Sequence, residues 1–153
     1  MSIDISVHKK PYKNGILLAA TRNSAFTLGA MIANITDVMS AEVDIFYIVH
    51  DGFSTSEIEA LNRVASGVEV KFISFTKEDF INKIKVYGEC KNILNSPFFS
   101  RWTHMAYGMF EPLLLLDECE RIIYLDFDIM LLRGIGGLFR LKGYCFAAHR
   151  GKS

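Results

Sequence analysis

Hydrophobic positions follow two alternating spacings along the chain, one typical of buried strands and the other of amphipathic helices. Nearly continuous apolar runs predict three strands, at Gly15–Ala20, Glu42–Gly52 and Arg121–Leu132, and an alternating run predicts another at Val68–Phe75. Apolar residues three and four apart predict helices, at Ser24–Met39, Ser54–Ser66, Thr76–Ile84 and Ser96–Glu118. This alternation predicts an α/β fold with a mostly parallel sheet and helices on both faces.

Local signals refine the end of this pattern. Ser96 and Pro97 are a typical N-cap and first-turn pair, and Pro112 should kink or restart the helix that they begin. A further short strand is predicted at Tyr144–Ala148. The glycine-rich segment Gly134–Gly137 lacks the spacing and lysine of a phosphate-binding loop, so we interpret it as a turn.

Ligands of parallel α/β sheets bind at the carboxyl ends of the strands, near the point where strand order reverses. Three predicted loops follow strand ends, namely Thr21–Ala25, His50–Ser54 and Asp126–Asp128. Candidate functional residues are therefore sought in these three loops.

Asp126 and Asp128 lie inside an apolar run, RIIYLDFDIMLL, where unpaired charge would be costly. Side chains alternate along a strand, so Tyr124, Asp126 and Asp128 should share one face, with the carboxylates about 7 Å apart. The residues of the other face are apolar and should pack against the core: Ile123, Leu125, Phe127 and Ile129.

Two carboxylates this close raise each other's pKa unless a cation lies between them. Oxygen ligands favour magnesium or manganese, whose remaining positions are normally taken by water and phosphate oxygens. The pair Asp126 and Asp128 therefore predicts a metal site for a phosphorylated substrate. The alternative is a strand end whose aspartates cap a turn or face solvent.

Composition narrows the classes of protein. The 153 residues suffice for one domain, and 17 basic and 17 acidic residues give a net charge of zero. That balance does not indicate nucleic acid or an anionic membrane as a partner.

No segment resembles a signal peptide or a membrane span. The three cysteines are widely spaced, so we expect a cytoplasmic protein with reduced thiols, with attachment to the inner face of a membrane as a further option.

Two families carry such an acid pair at the end of a strand. Haloacid-dehalogenase phosphatases place Thr or Val two residues after the second aspartate, where this chain has Met130, and their motif normally opens the domain. The segment YLDFDIML (Tyr124–Leu131), preceded by RII and by IFYIVHDGFS at Ile45–Ser54, instead resembles glycosyltransferase family 8. This family is galactosyltransferase-like and glycogenin-like, and the resemblance covers nearly the whole chain.

The resemblance implies a Rossmann-like GT-A fold that binds a UDP-sugar through Mn²⁺ or Mg²⁺ and transfers a hexose with retention of configuration. It implies that Asp126 contacts the ribose side of the nucleotide and the metal, and that Asp128 is a direct metal ligand. The resemblance also implies four further residues of the nucleotide site, which lie at the matching positions of the chain: Ala20, Thr21, Asn23 and Phe127. For Asn23 and Ser24 the alternative is a helix N-cap. No catalytic residue is assigned.

The resemblance also bears on domain organisation. Family members continue well beyond the length of this chain, so we expect residues 1–153 to form one nucleotide-sugar-binding domain, C-terminally truncated, without the acceptor-binding half. His149 is the only late histidine, and we do not expect it to complete the metal shell. The expected partners are a nucleotide-sugar donor, an unidentified carbohydrate or glycolipid acceptor and a second copy of the chain. A non-catalytic nucleotide-sugar-binding module is the alternative, and a phosphatase is the third.

Overall fold

The structure, a computed structural model, describes residues 9–86, 92–110 and 115–142. Its strands are β1 (Tyr12–Ala20), β2 (Ile45–His50), β3 (Glu69–Ser74) and β4 (Cys119–Asp126). Its α-helices are α1 (Ala25–Met39), α2 (Thr55–Val64), α3 (Lys77–Val86) and α4 (Pro97–Trp102). Short 3₁₀ helices occupy Arg22–Ser24, Ser40–Glu42, His104–Phe110 and Gly136–Arg140.

The four strands form one parallel sheet in the order β3-β2-β1-β4. β1 lies between β2 and β4, and its residue Ala19 is in register with Val49 on one side and with Asp126 on the other. The sequence prediction of a parallel sheet is confirmed.

Helices cover both faces of the sheet, as predicted. Alternate residues of β1 enter two separate cores: Ile16 and Leu18 pack with residues of α1, whereas Leu17 and Ala19 pack on the opposite face. The second core includes four buried aromatic side chains, those of Tyr47, Phe75, Phe80 and Phe99. Because both faces are buried, β1 and β2 appear in the sequence as continuous apolar runs and not as alternating ones.

The turn after β2 is set by local chemistry. Gly52 has φ of 132°, which side chains on other residues rarely permit. Ser54 then forms a capping box with Glu57, in which each side chain accepts a hydrogen bond from the other residue's backbone N–H. α2 therefore begins directly beyond the end of β2.

The helix predicted at Ser96–Glu118 is not continuous. Ser96 caps α4 as expected, accepting a hydrogen bond from the backbone N–H of Phe99. The helix ends at Trp102 because Thr103 has φ of 61°, and the chain continues as the 3₁₀ helix at His104–Phe110. Pro112 lies outside the described residues.

The fourth strand is shorter than the sequence predicts. β4 ends at Asp126, because its partner β1 ends at Ala20 and offers no further backbone to pair with. The predicted continuation to Leu132 is wrong: Ile129 is 42% exposed and Leu132 is 94% exposed. The segment predicted as a strand at 144–148 lies outside the described residues. In the part of the chain that the structure describes, no helix is long and apolar enough to cross a membrane.

Gly15 and Gly29 offer a matched test of this packing. A Cβ on Gly15 would lie 2.9 Å from the ring of Tyr47 and 3.1 Å from Sγ of Cys119. Gly15→Ala should therefore lower the free energy of unfolding by about 1–3 kcal/mol through overpacking. Gly29 lies in α1 with only an ordinary 3.5 Å contact to Leu61, so Gly29→Ala should be neutral or slightly stabilising. Urea unfolding of both variants measures this, and equal losses would contradict the packing described for β1.

Candidate functional site

Three loops meet at the carboxyl edge of the sheet. The last residue of β1, Ala20, is in register with His50 of β2, and Ala19 is in register with Asp126 of β4. Strand order reverses at β1, since β2 and β3 extend the sheet on one side and β4 on the other. Ligands of open α/β sheets bind at such a point. The structure thus brings together the three loops selected from the sequence.

The acid pair lies at this edge and is open to solvent. Asp126 is the last residue of β4, Asp128 lies in the following turn, and both are exposed. The Tyr124 hydroxyl donates a hydrogen bond of 3.1 Å to Oδ1 of Asp126. Burial raises the pKa of Tyr124, and the charges of Asp126 and Asp128 raise it further. Both carboxylates are therefore close enough to act on the same hydroxyl.

The chemistry of this pair fits a hard divalent cation. Such an ion is commonly held by one or two carboxylates and completes its shell with water and substrate oxygens. Within the three described ranges, no third histidine, cysteine, aspartate or glutamate joins the pair. His149 lies outside those ranges. Asp126 and Asp128 could hold a cation while leaving most of its coordination positions for a ligand.

The loop after β1 presents hydroxyl and amide groups beside the acid pair. Thr21 is half-buried and Asn23 is exposed, whereas Ala20 is buried at the strand end and can contribute only backbone atoms. Ser24 occupies the N-cap position of α1, yet its hydroxyl bonds to the Thr21 hydroxyl at 2.9 Å and makes no cap bond. The N-cap interpretation of Ser24 is therefore not supported by its contacts.

Two residues hold the loop after β4, and the sequence singled out only the first of them. Phe127, between the two aspartates, packs against the core formed with α1. The side chain of Asn34 in α1 donates to the backbone oxygen of Leu131 at 3.1 Å and accepts from its N–H at 2.7 Å. This pair of bonds holds the backbone three residues beyond Asp128. No sequence signal marks Asn34, because its partner lies 97 positions away.

The loop after β2 is tied to the loop after β1. Nδ1 of His50 accepts hydrogen bonds from the backbone N–H groups of Gly52 and Phe53, at 3.3 and 3.0 Å. Burial lowers the pKa of His50, partly offset by Asp51, so at neutral pH the imidazole is neutral and keeps this acceptor. The next residue, Asp51, accepts a hydrogen bond of 2.5 Å from the backbone N–H of Arg22.

Comparison with protein families gives one match that covers most of the chain. Residues 15–151 match the family described as glycosyl transferase family 8. The chain belongs to glycosyl transferase family 8. This confirms the resemblance seen in the sequence and favours it over the phosphatase. Comparison with curated protein sequences gives no match.

Solved structures show the fold of this family-8 chain. It is similar to the galactosyltransferase LgtC, crystallised with donor and acceptor sugar analogs, with a TM-score of 0.60 and 21% identity. An active-site mutant of LgtC gives the same values. The mannosyltransferase Ktr4p from S. cerevisiae, crystallised with GDP, gives a TM-score of 0.52 and 11% identity over 76% of this chain and 34% of its own.

These similarities confirm the GT-A fold. They also show what share of the length of these glycosyltransferases the chain matches. The match to LgtC covers 84% of this chain and 42% of LgtC. The chain thus spans less than half the length of the glycosyltransferases that it resembles.

Asn34 provides a test of how the loop after β4 is held. Asn34→Ala removes both bonds to Leu131, and leaving these backbone groups unpaired should lower the free energy of unfolding by about 1–3 kcal/mol. Asp37→Ala, an exposed change on the same helix, is the matched control and should cost much less. Urea unfolding measures both. Equal effects would show that the contact of Asn34 with Leu131 contributes nothing beyond helix propensity.

Proposed function

We propose that this family-8 chain is the nucleotide-sugar-binding part of a metal-dependent glycosyltransferase that uses a UDP-sugar as hexosyl donor. The observation that carries the proposal is the position of the acid pair. Asp126 and Asp128 lie next to the loop after β1, at the reversal in strand order where a nucleotide would bind. Family membership supports the activity, and the geometry of this edge supports the site.

Each residue of the edge has a role in this proposal. Asp126 and Asp128 would hold a divalent cation, Mn²⁺ or Mg²⁺. The hydrogen bond from Tyr124 occupies Oδ1 of Asp126 and leaves Oδ2 for that cation. Thr21 and Asn23 would contact the nucleotide from the neighbouring loop, with the backbone of Ala20.

The chain itself holds the two aspartates in position. Phe127 is partly buried and packs against the core, so the backbone that carries the aspartates on either side of it is anchored there. A divalent ion, when bound, stabilises the negative charge that develops on the leaving nucleoside diphosphate. Preorganised contacts of this kind are among the largest contributions to catalysis, because they cost no rearrangement during the reaction.

For the acceptor and the donor sugar, we propose a chemical class and not a particular compound. LgtC is described as a galactosyltransferase and Ktr4p as a mannosyltransferase with GDP, so UDP and GDP are the two nucleotides to compare. We propose a carbohydrate or glycolipid acceptor, action in the cytoplasm and a homo-oligomeric state.

The acid pair is tested by titrating UDP into the protein with Mn²⁺ present and after chelation with EDTA. We expect binding with Mn²⁺ and a loss of about tenfold or more in affinity after chelation, because a cation held by Asp126 and Asp128 would offset the charge of the diphosphate. Asp128→Asn should reproduce the loss in the presence of Mn²⁺. GDP in parallel measures the preference for the base.

Asp117→Asn is the matched control, since it also removes one exposed carboxylate but lies before β4, away from the acid pair. It should leave the affinity for UDP unchanged. UDP binding that ignores both EDTA and Asp128→Asn would refute the metal site.

The binding-module alternative differs in one measurable respect. A glycosyltransferase releases or transfers the sugar of UDP-galactose or UDP-glucose, whereas a binding module returns the donor intact. Tight binding of an intact donor over many hours would favour the alternative.

A further inference from the structure

Asp51 connects the loop after β2 to the loop after β1. Its Oδ1 accepts the backbone N–H of Arg22 at 2.5 Å, across 29 positions of sequence. The side chain of Asp51 is only 14% exposed, so this is a largely buried carboxylate and not a solvated surface group. Its position matters because Arg22 begins the 3₁₀ helix that leads from Thr21 into α1.

The second oxygen of Asp51 faces a histidine. Nε2 of His104 lies 3.9 Å from Oδ2 of Asp51, beyond hydrogen-bond distance. The His104 side chain is 10% exposed, and its Nε2 is buried without a hydrogen-bond partner. A buried nitrogen without a partner is costly and uncommon in native structures. Nothing in the proposed metal and nucleotide contacts uses this pair.

The charges around His104 come from several elements. Burial lowers the pKa of its imidazole, Asp51 and the backbone of Phe75 raise it, and Lys77 and Arg22 lower it. Asp79 on α3 also interacts with His104.

Lys83, on the same helix, lies 5.1 Å above the ring of Phe75, which packs against the imidazole of His104 at 5.9 Å. Because burial is the largest of all these influences, the pKa lies below the ordinary value of 6.5 and His104 is neutral at neutral pH.

We propose that Asp51 is a positioning residue for the loop after β1, and that His104 is its proton-dependent second partner, so that proton uptake by His104 tightens donor binding. A protonated Nε2–H would need to move by only about 1 Å to form a charge-assisted hydrogen bond with Oδ2 of Asp51. Asp51 would then hold Arg22 through one oxygen and His104 through the other.

The effect on the donor follows from linkage. A loop that is ordered before binding costs less to order on binding, so the donor binds more tightly when Asp51 holds both partners. Reciprocally, the donor favours the protonated form of His104. This inference rests on the proposed function for its ligand, but the contacts of Asp51 can be tested without any ligand.

The ligand-free test is hydrogen exchange of the Arg22 amide, expressed as a protection factor between pH 7.5 and 5.5. Protection should increase at the lower pH in the native chain. It should stay constant in His104→Gln, which keeps a neutral polar side chain but cannot take up the proton. His104→Asn serves as a second variant if the first does not fold.

The ligand test is titration of UDP-glucose at fixed Mn²⁺ over the same pH range. Its diphosphate is esterified at both ends, so the ligand keeps its charge throughout. Affinity should increase about fivefold on acidification in the native chain, the lower end of typical coupling between sites. His104→Gln should give a flat profile, and Asp51→Asn should give weaker and equally flat binding.

Asp44→Asn is the matched control. Asp44 also accepts backbone N–H groups of β1, from Lys13 and Asn14 at 2.9 and 2.8 Å, but at the opposite edge of the sheet. It should keep the pH dependence of the native chain.

The outcomes separate the two proposals. Flat exchange of Arg22 and flat UDP-glucose affinity in the native chain overturn the role of His104. A pH-dependent Arg22 amide in a chain that binds no UDP-glucose supports the role of Asp51 and His104 and overturns the proposed donor. A pH dependence of Arg22 exchange or of UDP-glucose affinity that survives in His104→Gln also overturns the role of His104.

Discussion

The position of β1 between two parallel neighbours is the constraint on which the site depends. Backbone hydrogen bonds to β2 and β4 set the register on both sides, and one-residue slippage would turn every buried side chain of β1 to the wrong face. The same register places Ala20 beside His50 and Ala19 beside Asp126. The packing of the core and the assembly of the edge are therefore consequences of one arrangement.

The carboxyl edge of the sheet differs from the core in how its side chains are held in place. The acid pair is exposed, and its order comes from neighbours that are anchored elsewhere: Phe127 against the core, Tyr124 on the strand and Asn34 on α1. Such anchoring leaves the carboxylates free to bind while their backbone stays fixed. A site of this kind combines solvent access with the precision of a rigid scaffold.

Sequence patterns predicted the strands, most helices and the loops that form the edge, because these depend on local periodicity and on one topological rule. They failed where a contact distant in sequence or an unusual backbone conformation determines where an element ends or which residues meet. Thr103 breaks a helix through its positive φ, and β4 stops where β1 no longer offers a partner. The bonds from Asn34 to Leu131 and from Arg22 to Asp51 join residues far apart in sequence, so no short motif reveals them. Asp126 and Asp128 were found because their spacing is itself a local pattern, and their role as metal ligands stays a prediction.

In the proposed function, the carboxyl ends of β1 and β4 form one site for a divalent cation and a nucleotide. The most direct measurement is paramagnetic broadening of backbone amide signals by substoichiometric Mn²⁺. Broadening should be centred on residues 126–128, extend to residues 21–24 and spare Tyr12 and Cys119, at the opposite edge of the sheet. Broadening centred elsewhere, or none at concentrations that support UDP binding, would contradict it.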